Sequence, residues 1–138
     1  MTRVASCSCG QLSVTLMGEA KEITVCHCLG CQKATGSVFG VYAFWPKGAC
    51  QSIAGDAKAW RRVSESGHWV ESHFCPVCGS TVYWHTELAR GEIGIGVGNF
   101  ADARFPAPTS AVWDCRRHPW VRLPAAWPQH AADAPLAG

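Results

Sequence analysis

Seven of the nine cysteines lie in three tight clusters, Cys7-Ser8-Cys9, Cys26-His27-Cys28-Leu29-Gly30-Cys31 and Cys75-Pro76-Val77-Cys78. Spacings of one or two residues hold sulfurs close together, as a metal ion requires and a long-range disulfide framework does not. The pairs Cys7/Cys9 and Cys75/Cys78 supply four thiolates between them, the full ligand set of a tetrahedral structural zinc. Cys26, Cys28 and Cys31 supply three, which leaves one coordination position open. The spacing therefore predicts two zinc ions per chain, one closed and structural, the other open to chemistry.

The two sites differ in what they ask of the backbone. Alternate side chains of an extended strand share a face, so Cys7 and Cys9 are expected to point the same way. Cys75-Pro76-Val77-Cys78-Gly79 reads as a zinc knuckle, its turn fixed by proline and closed by a glycine free to adopt a left-handed backbone. Cys26, Cys28 and Cys31 are expected to converge from a strand end across a helical turn, with His27 facing away. Three thiolates around Zn2+ leave a net charge of about −1, so such a centre is a poor generator of hydroxide and favours soft ligands. A thiol entering the open position would bind as its nucleophilic thiolate. The fourth ligand is read as water, a substrate sulfur or a protein group, with Cys50 a candidate; otherwise Cys50 and Cys115 are small buried apolar residues. The sequence has no G-x-S-x-G elbow, H-E-x-x-H helix or glycine-rich phosphate loop. Gly94, Gly96 and Gly98 alternate within a strand pattern rather than opening a helix.

The elements that must position these cysteines are mostly strands. Leu12, Val14 and Leu16 alternate with polar neighbours, and similar signals recur at Ile23-Val25, Val41-Trp45, Trp60-Val63, Trp69-Phe74, Val82-Trp84 and Ile93-Val97. One stretch, Leu29 to Thr35, suits a short helix stopped by Gly36. The expected fold is all-β, of short antiparallel strands in small packed sheets with at most one short helix after the second cysteine cluster.

The chain has 138 residues, nearly half of them hydrophobic, 16% charged, with seven Trp and a formal charge of +2. That composition fits one globular domain with an aromatic core, and the charge does not point to nucleic acid. Arg61-Arg62 and Arg116-Arg117-His118 read as solvated basic faces. The residues before Cys7 carry no apolar signal stretch, so a reducing cytoplasm is the expected location. The longest mostly apolar run, Val38 to Trp45, is far short of the roughly 18 residues of a membrane helix. Residues 4–124 are read as the zinc-binding domain and 125–138 as an Ala/Pro-rich tail, loose or draped on the surface.

With these residues in place, the chain resembles the glutathione-dependent formaldehyde-activating enzyme (GFA) family, also called centromere protein V-like. Cys7-Ser8-Cys9-Gly10, Cys26 to Ser37 and Phe74-Cys75-Pro76-Val77-Cys78-Gly79-Ser80 are similar to its three cysteine blocks, and Gly98-Asn99-Phe100 and His118-Pro119-Trp120-Val121 to its later landmarks. The resemblance implies a compact Mss4-like zinc-binding fold. It implies a structural zinc on Cys7, Cys9, Cys75 and Cys78, and a second on Cys26, Cys28 and Cys31, the catalytic set. The implied activity is that of a carbon–sulfur lyase joining glutathione, as co-substrate, to formaldehyde, as in S-hydroxymethylglutathione synthesis. Lys33, Arg61, Arg62 and Arg104 are the cations available to glutathione's carboxylates, and Phe39, Phe44 and Trp45 the aromatics available to wall a pocket or pack the core.

Two other functions fit part of the pattern: a binding module for protein or nucleic acid in which both zincs are structural, and a thiol or zinc redox sensor. The unfilled position at the three-cysteine cluster separates the binding module from the enzyme, because a binding module completes its ligand set; metal affinity separates the sensor, which must release or oxidise its site under conditions that leave a catalyst intact. The small-molecule reading has a thiol and an aldehyde as partners, with no nucleic acid and no membrane.

Overall fold

The computed structural model describes residues 1–134; the end of the tail, Pro135 to Gly138, lies outside the described residues. Two sheets carry the fold. The smaller contains β1 (Thr2–Ser6), β2 (Ser13–Met17) and β5 (Cys50–Ala54), in the order β1-β2-β5. The larger contains β3 (Glu22–Cys26), β4 (Gly40–Pro46), β6 (Lys58–Val63), β7 (Trp69–Phe74), β8 (Thr81–Thr86), β9 (Glu92–Gly96) and β10 (Ser110–Val112), in the order β10-β3-β4-β9-β8-β7-β6. Pairing is antiparallel except where the short β10 runs parallel to β3. Among the described residues the one α-helix, α1 (Leu29–Thr35), ends at Gly36 in the left-handed conformation, φ 72°.

The alternation that marks each strand decides which face it buries. Leu12, Val14 and Leu16 from the small sheet meet Ile23, Ala43, Trp45, Ile93 and Ile95 from the large one in a shared core. Trp45 is fully buried, and its indole N–H donates to the Gly18 carbonyl at 3.2 Å, so its polar atom is satisfied. Side chains of this size each contribute about 1.5–3 kcal/mol on burial. Strands β1, β5 and β10 leave no comparable signal in the sequence. In β5 four of the five residues are exposed, and β10 has three residues only.

The opposite face of the large sheet is where function can sit. Register places Thr24 beside Tyr42, Phe44 beside Gly94, Gly94 beside Trp84, and Val70 beside Arg62. Residues paired in this way share a face, so Cys26, Tyr42, Phe44, Trp84, Val70 and Arg62 all stand on the side away from the inter-sheet core. Together they line a cavity of about 870 Å³. Strand β9 contributes Gly94 and Gly96 beneath these rings. A Cβ at Gly94 would come within 2.8 Å of Phe44 Cε1, and one at Gly96 within 3.3 Å of Trp84 Cζ3.

The tail belongs to the rim of this cavity. Ala111 donates to Pro128 O and accepts from His130 N, both at 2.9 Å, and Trp113 N donates to Ala132 O at 3.0 Å. The Trp113 indole donates to Asp133 at 3.0 Å. Residues 128–133 are thus laid along β10, and Asp133 and Ala134 line the cavity.

Gly94→Ala is expected to keep the fold while pushing Phe44 into the cavity, at a cost of about 1–3 kcal/mol. Denaturant unfolding reads the loss; an unchanged midpoint would contradict the packing described.

Candidate metal centres

The first cluster joins the two sheets. Cys7 and Cys9 lie in the turn between β1 and β2, and Cys75 and Cys78 in the turn between β7 and β8. The sulfurs of all four lie within 4.8 Å of one another. Cys9 Sγ is 3.6 Å from Cys7 Sγ and 3.7 Å from Cys75 Sγ. Cys7 and Cys9 converge through a tight turn, not through strand alternation, because β1 already ends at Ser6. Gly10 N donates to Cys7 O at 3.1 Å, and Gly79 N to Cys75 O at 2.9 Å. Gly10 and Gly79 both take positive φ, 81° and 80°, where any other residue would be strained.

The surroundings suit thiolates. Leu12 N donates to Cys7 Sγ at 3.3 Å, and Val77 N and Cys78 N donate to Cys75 Sγ at 3.3 and 3.5 Å. The Gln11 carboxamide lies 3.1 Å from Cys75 Sγ and is itself held by the Asp56 backbone. Hydrogen bonding from the Ser80 hydroxyl and backbone pulls the Cys78 thiol down. Backbone N–H groups aimed at sulfur stabilise its anion.

The second cluster sits on the floor of the cavity. Cys26 ends β3, Cys28 caps the start of α1 by accepting from Cys31 N at 3.3 Å, and Cys31 stands in the first turn. Their sulfurs also lie within 4.8 Å of one another, and all three residues are buried. Hydrogen bonds from Cys26 and Cys31 pull the Cys28 thiol down, while the contacts to Cys28 and Cys31, with burial, push Cys26 up. Sulfurs this close carry one negative charge readily and three only around a cation. The donor set therefore fits a soft divalent metal in both clusters.

Among the described residues no fourth Cys, His, Asp or Glu joins the second set. Cys50 is on β5 of the small sheet, packed against the inter-sheet core, so it is no ligand candidate for this cluster. The cause is topological: β4 belongs to one sheet and β5, the next strand, to the other. Cys115 is exposed in a short turn after β10. His27 is fully buried facing away from the three sulfurs' cavity, edge-on to Phe39 at 6.0 Å.

Of two groups beside the second cluster, Tyr42 was not read from the sequence, whereas Arg62 was one of four candidate cations. Tyr42 is 7% exposed and packs in one buried cluster with the three cysteines and Trp84; its hydroxyl is buried without a hydrogen-bond partner. Burial first, then the charge of Cys31, raises its phenol well above the ordinary range, so it stays protonated. Arg62, read as solvated surface, reaches inward, with Nη2 3.9 Å from Cys31 Sγ. Its neighbour Arg61 points to the other face, paired with Glu71 at 3.1 Å and stacked 4.0 Å over Trp69. Lys33 and Arg104 are exposed and outside the cavity lining. Of the three aromatic candidates, Phe44 lines the cavity, Trp45 fills the core and Phe39 covers His27.

A family model described as glutathione-dependent formaldehyde-activating enzyme matches residues 2–116. The chain belongs to the GFA family. A crystal structure of a Rhodobacter sphaeroides protein is similar at a TM-score of 0.54 and 17% identity, covering 70% of this chain and 85% of that one. That likeness concerns the fold, which is Mss4-like. Among curated proteins none matches significantly. Asn99 and His118 tie the centres to the fold. Asn99 donates to Ser6 O at 3.1 Å, next to the first cluster, and His118 meets Gln32 of α1 at 3.2 Å. Gln32 also donates to His27 O at 2.8 Å.

A bound structural zinc contributes roughly 10 kcal/mol or more to folding. Cys78→Ser should therefore yield largely insoluble or unfolded chain; a well-folded variant with full metal content would remove the first centre as a structural clamp.

Proposed function

We propose that this GFA-family chain is a zinc-dependent carbon–sulfur lyase-type enzyme, acting on a small glutathione-like thiol and an aldehyde such as formaldehyde, as in S-hydroxymethylglutathione synthesis. The observation that carries the reading is an incomplete ligand set in a place where a substrate can reach it. Cys26, Cys28 and Cys31 offer three sulfurs at the base of a cavity of about 870 Å³, and no described residue completes them. That volume lies within the range of small-molecule sites. Cys7, Cys9, Cys75 and Cys78 offer a full set away from this cavity, and we assign them the structural zinc.

Zinc held by the three cysteines would stabilise an incoming thiol as its nucleophilic thiolate. The chain's own residues supply the rest. Phe44, Trp84, Val70 and Trp113 give the cavity apolar walls that exclude water around the reacting atoms. Holding thiol and aldehyde side by side removes the entropic cost of their meeting. A binding module completes its ligand sets, so the open cluster in an aromatic-walled cavity favours the enzyme reading over it. No helix among the described residues is long and apolar enough to cross a membrane, and we infer a cytoplasmic location.

The test is zinc per chain, beside NMR exchange rates of glutathione with formaldehyde above the uncatalysed background. Cys31→Ser should lower zinc from about two to about one per chain and abolish the excess rate while the fold persists. An unchanged rate in that variant, at the lower metal content, would remove the mechanism.

A further inference from the structure

Two polar groups that line the cavity beside the second cluster have hydrogen bonds left to give, with Cys31 the polar neighbour of both. The Tyr42 hydroxyl and Arg62 Nε are both buried without a partner. An unpaired buried donor costs about 1–3 kcal/mol, and at the wall of a cavity an entering ligand can meet it. The other cations lining the cavity are engaged: Lys21 with Glu92 at 2.8 Å and Arg90 with Glu87 at 3.5 Å. Among the described residues Arg62 has no carboxylate partner, and its one polar contact is Cys31 Sγ.

Two glycines make room for this pair. A Cβ at Gly40, which lies opposite Cys26 in the register, would collide with the Tyr42 ring and hydroxyl. A Cβ at Gly30, inside the cysteine cluster itself, would collide with the Arg62 guanidinium. Gly40 and Gly30 thus open two seats, one on β4 and one on α1, and Tyr42 and Arg62 fill them. Both side chains line the cavity next to Cys31.

We propose that Tyr42 and Arg62 form an oxyanion-binding pair, which receives the aldehyde oxygen as the carbon–sulfur bond forms. This rests on the thiol-and-aldehyde reading above. In the forward step the thiolate electron pair makes the C–S bond, the carbonyl π pair moves onto oxygen, and the resulting alkoxide takes a proton from solvent. The reverse step removes that proton and expels the thiolate. Tyr42 would donate a hydrogen bond to that oxygen, while Arg62 adds a positive charge. Donors already in place where charge develops cost no reorganisation at the moment of reaction. The pair thus makes Tyr42 and Arg62 catalytic residues beside the three cysteines.

The experiment uses the zinc-loaded full chain and two readouts. In NMR exchange kinetics with glutathione and formaldehyde, Tyr42→Phe and Arg62→Gln should each lower kcat about 100-fold. KM should stay within about threefold and zinc per chain should not change, and Arg62→Lys should recover part of the loss. A kcat within about threefold of the parent in Tyr42→Phe overturns the pair, and so does a fall that only follows loss of zinc. The second readout needs no turnover: calorimetric binding of 2-mercaptoacetate, which carries an anionic oxygen near its sulfur, against ethanethiol, which carries none. The parent should prefer mercaptoacetate by about tenfold, and both Tyr42→Phe and Arg62→Gln should erase the preference. Equal affinities in the parent overturn the pair. A parent inactive with glutathione and formaldehyde would sink the proposed function instead, and the binding preference would still decide the pair.

Discussion

Crowded sulfur anions repel one another, and a cation among them turns that repulsion into a fastening. Both clusters could hold such a cation, and it would fasten different things in each. Cys7 and Cys9 sit in the β1–β2 turn of the small sheet, and Cys75 and Cys78 in the β7–β8 turn of the large one. A metal ion held there would clamp the two layers at one end of their common core. Cys26, Cys28 and Cys31 draw on one strand end and the helix that follows, so metal there adds little to the joining of the layers. What it gains is an approach from the cavity.

The cavity exists because one strand has almost no side chains on that face. Gly94 and Gly96 let Phe44 and Trp84 lie flat where any larger residue would lift them. Gly30 and Gly40 do the same for Arg62 and Tyr42 nearer the sulfurs. The inter-sheet core on the other face is filled by Trp45, Ile93 and Ile95, so the large sheet has one face for stability and one for binding. Residues 128–133, laid along β10, complete the rim on the side of Trp113 and Asp133.

Much of this was legible in the sequence because it is local. Cysteine spacing partitioned the two clusters, alternation marked seven strands, and Gly36 marked the end of α1. What sequence missed is set by pairing between distant segments. Arg61 and Arg62 were bound to face opposite ways on a strand, yet only the register of β6 on β7 shows that Arg62 takes the cavity face. Tyr42 looks like an ordinary core aromatic until Gly40 is seen to make space for it beside Cys26. Cys50 was a reasonable fourth ligand by type, and it fails because β5 crosses to the small sheet. Cys7 and Cys9 were read as strand neighbours because their one-residue spacing suits strand alternation, whereas β1 ends at Ser6 and Gly10 closes a turn.

The most direct measurement of the central claim is zinc-edge X-ray absorption on the native protein, alone and with saturating glutathione. One closed site and one open site predict an average of about three and a half sulfurs per zinc, rising toward four as the thiol binds. Four sulfurs per zinc from the outset, unmoved by glutathione, would mean that both sites are closed, and the cavity would lose its chemistry.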